Sequence, residues 1–99
     1  MEFTKKGSGN GGITLGIKGR ITAVEEEELG SAVNAAISEA DNIKLDFKDV
    51  DYLSSAGLRV LVSAKKQVDA KGGTIVILNA SKDVREVFEM TGLSDLFGM

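Results

Sequence analysis

The stretch IKLDFKDVDYLSSAGLRVLVSAKKQVDAKGGTIVIL, residues 43–78, decides the fold. Ile43, Leu45 and Phe47 alternate with Lys44, Asp46 and Lys48, the period of a half-buried strand. From about Ser55 to Ala70, Leu58, Leu61, Val62 and Val68 fall at helical spacing and face inward. The sequence KGGT then stops the helix, since glycine is the usual residue just past a helix end. TIVIL, residues 74–78, is a nearly continuous apolar run, expected of a strand covered on both sides or central in a sheet. Strand, helix and strand at this length imply a parallel pair joined by a right-handed crossover.

Working outward, Ile13, Leu15 and Ile17 alternate in a strand ending near Ile21, and Glu2 to Lys6 form a short strand before it. GSGNGG, residues 7–12, reads as a hairpin-like turn, because Gly and Asn tolerate positive φ. It is no phosphate cradle, since no GK[ST] follows and the next element is a strand. TAVEEEELGSAVNAAISEA, residues 22–40, reads as a helix. Thr22 and Glu25 form a capping box, the early glutamates suit the positive end of the dipole, and Leu29, Val33, Ala36, Ile37 and Ala40 supply the buried stripe. Gly30 inside this helix costs about 1 kcal/mol against Ala, so close packing is the expected reason for it. Ser81 caps a third helix with Val84, Val87, Phe88 and Met90 inward, ending at Gly92. Leu93, Leu96 and Phe97 then tuck a final turn against the body. The order β-β-α-β-α-β-α describes an α/β fold, a small mixed sheet with helices packed against it. Residues 1–99 read as one domain, without internal repeat or linker.

Composition narrows the chemistry. With 42% hydrophobic and 27% charged residues the chain can bury a core. No apolar run approaches about 18 residues and no apolar signal region opens the chain, so neither a membrane span nor secretion is expected, and the cytoplasm is the default. There is no His and no Cys, which excludes the common zinc and thiolate sites and any Ser-His-Asp triad within the chain. No spacing resembles a calcium loop, so neither metal nor cofactor is expected. A serine nucleophile would lack a base, as Lys65 and Lys66 lie too far along the helix from Ser55. A net charge of −3, a pI near 4.9 and only 5% aromatic residues argue against nucleic acid as the partner. The acids Glu25 to Glu28, Glu39 and Asp41, without a base between residues 21 and 41, are first of all a solvated helix face and secondarily a hint of a partner surface.

The chemistry left concentrates in the loop expected at residues 48–57, where a strand gives way to a helix. Unpaired N–H groups and the helix dipole attract negative charge there. One of Ser54 and Ser55 serves as N-cap, worth about 1 kcal/mol. A phosphoryl group on either would add roughly −1.5 to −2 charge in a favourable field. Gly57 removes a side chain that would crowd it, and Arg59 lies four residues after Ser55 on the same helical face. Spacing alone leaves the simple cap and the switch both open.

LDFKDVDYLSSAGLRVL followed by AKGGTIVILNASKDVREVFEMTGLSDLF resembles the STAS domain family, the domains of anti-sigma factor antagonists and sulfate transporters. The similarity covers about residues 13–98, and Phe88, Thr91-Gly92-Leu93 and Leu96-Phe97 strengthen it. The resemblance implies a regulatory binding module and no enzyme. In the antagonist branch, a serine at this helix start is phosphorylated by an anti-sigma factor that is itself a serine kinase. Phosphorylation abolishes binding, and a serine phosphatase restores it. Matched on Gly57-Leu58, the modified position falls on Ser55. The implied contact surface comprises Asp49, Asp51, Ser54, Ser55, Ala56, Gly57, Leu58 and Arg59, extending along the helix to Val62. Two positions depart from the pattern: Ser54 stands where antagonists often have Asp, and Thr22 where they commonly carry an acid. The alternative is a STAS module that binds without switching, in a stressosome-like or lipid-transport assembly.

Overall fold

Two apolar rows organise the sheet. Ile13, Ile43 and Ile75 stand side by side on neighbouring strands, and Leu15, Leu45 and Ile77 form the next row. All six are buried, so one sheet face is committed to the core while Thr14, Lys44 and Asp46 look the other way. The computed structural model describes residues 1–7 and 11–99. Its strands are β1 (Glu2–Gly7), β2 (Gly12–Ile21), β3 (Asn42–Leu53) and β4 (Thr74–Leu78), and its helices α1 (Glu26–Glu39), α2 (Ser55–Ala70) and α3 (Lys82–Met90). Short 3-10 turns occupy Ala23–Glu25 and Ser94–Phe97. The strands lie in the order β1-β2-β3-β4, with β1 antiparallel to β2 and the remaining pairs parallel. The chain order is therefore the α/β arrangement read from the sequence. The glycine-rich turn falls largely on residues 8–10, outside the described residues.

Helices α1 and α2 pack on each other, α1 against β2 and α2 against β4, while α3 meets β3. Phe88 and Phe97 close the core edge-to-face with centroids 5.4 Å apart. The capping box is present: Thr22 Oγ1 accepts from Val24 N, and Glu25 Oε1 accepts from Thr22 N. It opens a 3-10 turn, however, and α1 proper begins only at Glu26. No basic residue lies in the last turn of α1. Lys71 supplies the cation instead: its ammonium donates to Ile37 O and Ala40 O and pairs with Asp41 at 3.3 Å.

Five sequence readings are corrected. β4 is an edge strand rather than a central one; it looks doubly covered because Val76 is half-buried where Gly98 approaches it. Val62 is half-buried only. Met90 is 86% and Leu96 42% exposed, because α3 ends at Met90 and the turn after it directs Phe97 inward. Gly30 is not held by close packing: a Cβ there would meet only Val60 Cγ1, at 3.8 Å, an ordinary contact. Gly30→Ala should therefore raise stability by about 1 kcal/mol, read as a higher urea midpoint with unchanged slope.

Candidate functional site

β3 runs further than its alternation suggests. Its burial pattern changes at Phe47: Phe47, Val50 and Leu53 are buried and the residues between them are exposed. Two register shifts against β2 produce this spacing of three. From Gly16 to Lys18 the partner runs from Asp46 to Asp49, and from Gly19 to Arg20 it runs from Val50 to Tyr52. Each shift is a bulge in β3, which re-aims the following side chains. Asp49 and Asp51 consequently sit on a strand rather than in a loop, and both face solvent.

The strand hands over to α2 at Ser54, whose N–H donates to Ile21 O at 2.8 Å. Ser54 is extended (φ −82°, ψ 167°), half-buried, and its Oγ accepts from Gly57 N at 3.2 Å. Its carbonyl takes the first helical bond, from Leu58 N. Ser54 is thus the N-cap. Ser55 is the first helical residue, exposed, and its hydroxyl has no hydrogen-bond partner among the described residues. The two hydroxyls have separate tasks: one closes the helix and the other faces solvent.

Gly57 has a different role from the one its spacing suggests. A Cβ at this position would lie 2.5 Å from Ile21 Cγ2 and 2.8 Å from Leu53 Cδ1. The missing side chain therefore admits the ends of β2 and β3 under the first turn of α2, and does not make room for a phosphate. Ala56 and Leu58 are buried beside it, and Arg59 is exposed. The first turn of α2 carries no acid, unlike those of α1 and α3. The N–H groups of Ser55 and Ala56 thus face a helix end whose partial positive charge no carboxylate on its own first turn offsets.

Three neighbours escaped sequence reading. Tyr52 is 43% exposed, and the Arg20 guanidinium stacks over its ring at 4.8 Å. Val24 is 88% exposed on the 3-10 turn that packs against α2. A valine directly ahead of four glutamates was the available signal for Val24. Tyr52 offers none, because residues 48–57 read as a loop. Among the described residues no group of carboxylates is placed to hold a metal ion, and no helix is long and apolar enough to cross a membrane.

The fold recurs in known proteins. The STAS domain family model matches residues 5–99. A candidate anti-sigma factor antagonist of Bordetella bronchiseptica, BtrV, is 33% identical over 82 residues, covering 82% of this chain and 71% of its own. The anti-sigma-B factor antagonist of Bacillus subtilis is 30% identical over 84 residues, covering 85% and 77%. Among solved structures, the anti-sigma factor antagonist SpoIIAA in its unphosphorylated form superposes with a TM-score of 0.82 at 21% identity, covering 96% of this chain and 84% of that one. The phosphorylated form of Bacillus SpoIIAA superposes with a TM-score of 0.75 at 20% identity, covering 96% and 87%.

The division of labour between the serines has a measurable consequence. Ser54→Ala should cost about 1 kcal/mol of unfolding free energy, whereas Ser55→Ala should stay within about 0.5 kcal/mol of the parent. Gly57→Ala should cost about 1–3 kcal/mol through overpacking against Ile21 and Leu53. Chemical denaturation of the three variants checks all of these.

Proposed function

The chain belongs to the STAS family, of the anti-sigma factor antagonist type, and from that premise we propose that it binds an anti-sigma factor serine kinase until Ser55 is phosphorylated. The carrying observation is the exposed, unbonded hydroxyl of Ser55 at the first position of a helix whose cap is already supplied by Ser54. The kinase transfers a phosphoryl group from ATP to Ser55 Oγ, displacing the hydroxyl proton, and ADP leaves. A serine phosphatase hydrolyses the ester and restores the binding form. In this reading the chain is a regulatory binding module of one domain that acts in the cytoplasm, and it catalyses no step itself.

The contact surface is the exposed end of β3 with Asp49 and Asp51, the turn Ser54 to Gly57, and the first turns of α2 at Leu58 and Arg59. A hydroxyl there is small and neutral and can be buried against a partner. A phosphate is bulky, dianionic and held in place by the Ser55 and Ala56 N–H groups. Burying it would mean desolvating nearly two charges. The solved phosphorylated and unphosphorylated forms of SpoIIAA, a protein of the same fold, support the reading.

Ser55→Ala should bind a purified cognate kinase with parental affinity and keep it after incubation with ATP. Ser55→Asp should bind at least about tenfold more weakly, the equivalent of about 1.4 kcal/mol. Titration calorimetry with each variant is the check. Equal affinity for all forms, with no phosphate on Ser55 by mass spectrometry after kinase treatment, would instead indicate a STAS module that binds without switching.

A further inference from the structure

Arg59 is the first cation on α2 and stands four residues after Ser55. On a helix that spacing puts two side chains on one face, with Cβ atoms about 5–6 Å apart. Both residues are exposed. Among the described residues Arg59 forms no ion pair. Glu26 lines the groove between α1 and α2 together with Arg59, yet the two do not pair. The other cations of α2 are engaged or distant: Lys65 pairs with Asp69 at 2.9 Å, and Lys66 follows Ser55 by about three turns.

We propose that Arg59 receives the phosphate of phosphorylated Ser55, its guanidinium bonding two phosphate oxygens in a fork. The proposal rests on the phosphorylation reading above and names the side chain that holds the modified group. Three observations converge on this residue. The pair runs anion first and cation one turn later, the order that the helix dipole favours. Arg59 gives up no ion pair to reach the phosphate, so the contact costs only the ordering of one exposed side chain. The strand leading to Ser55 carries Asp49 and Asp51, both exposed. They repel a dianion at Ser55, and a cation on the helix side offsets them.

The consequence is that one phosphoryl group alters two positions of the surface. Ser55 gains charge and bulk, while Arg59, exposed and unpaired beforehand, becomes occupied within its own domain. The phosphate is then pinned along α2, with part of its charge neutralised, and does not swing free in solvent.

The test installs phosphoserine at position 55 of the full chain by chemical ligation, in the parent, Arg59→Lys and Arg59→Gln, and compares each with its unmodified form. Arg59 is exposed, so the variants should fold normally, which circular dichroism checks. In urea unfolding, phosphorylation should raise the folding constant of the parent about threefold more than that of Arg59→Gln. Arg59→Lys, which keeps the charge without the fork, should fall between them, and the differences should shrink as salt is added. By NMR the Arg59 Nε–H signal of the parent should move on phosphorylation, while that of Arg20, stacked on Tyr52, should stay in place. If Arg59→Gln gains as much from phosphoserine as the parent does, the backbone N–H groups hold the phosphate alone and the proposal is overturned. A shift confined to Arg20 assigns the phosphate to the other arginine and overturns it equally. Failure of the purified kinase with ATP to modify Ser55 overturns the switch reading itself, whatever the ligated proteins show.

Discussion

The close approach of Gly57 to Ile21 and Leu53 is the constraint on which the candidate site depends. A Cβ would intrude to 2.5 Å of Ile21 and 2.8 Å of Leu53, well inside any real contact distance, so α2 begins where it does only because nothing projects from its third residue. That approach fixes the helix start against the ends of the two central parallel strands. Ile21 is fully buried and Leu53 nearly so, and Ile21 O also receives the Ser54 N–H. Packing and hydrogen bonding thus fix the same few backbone atoms. Ser55, held this way, has a defined position even though its own hydroxyl forms no hydrogen bond among the described residues.

The bulges in β3 serve the same end from the strand side. An uninterrupted alternation would bury every second residue after Phe47 and turn Val50 outward. Two inserted residues change the spacing to three, so that Val50 and Leu53 both reach the core. Asp49, Asp51 and Tyr52 are thereby left together on the surface leading to Ser55. The acids and the aromatic ring are displayed by the rigid end of a strand, which orders them better than a loop would.

Much of this was legible in the sequence, and the parts that were not have physical reasons. Alternation in Ile13–Ile17 and Ile43–Phe47, the Thr22–Glu25 box and the Ser81 cap are local signals, and they appear where the residues placed them. The end of β3 was invisible because a spacing of three belongs to neither regular period. The edge position of β4 could not be read, since TIVIL looks the same whether its second face meets a helix or the chain terminus. The purpose of Gly57 was misread for a similar reason: the nearest of the atoms it accommodates belongs to Ile21, thirty-six residues away. Which serine caps and which is free was likewise decided by where the strand ends, a tertiary matter.

The separation of the capping hydroxyl from the free one explains how the proposed modification changes binding while leaving the fold intact. Were the capping serine the one modified, its Oγ could no longer bond Gly57 N in the same way, and the cost would fall on the helix start that Gly57 anchors. With Ser54 keeping that bond, a phosphate on Ser55 meets the free N–H groups, the dipole and the exposed Arg59 one turn further on. Those interactions favour an anion by about 0.3–1 kcal/mol. The folded domain therefore gains slightly or stays level on phosphorylation. A partner that must bury the same group faces a desolvation cost of several kcal/mol. The asymmetry between these two energies is what allows a single hydroxyl to act as a switch on the proposed surface, and it follows from the position of Ser55 one residue inside the cap.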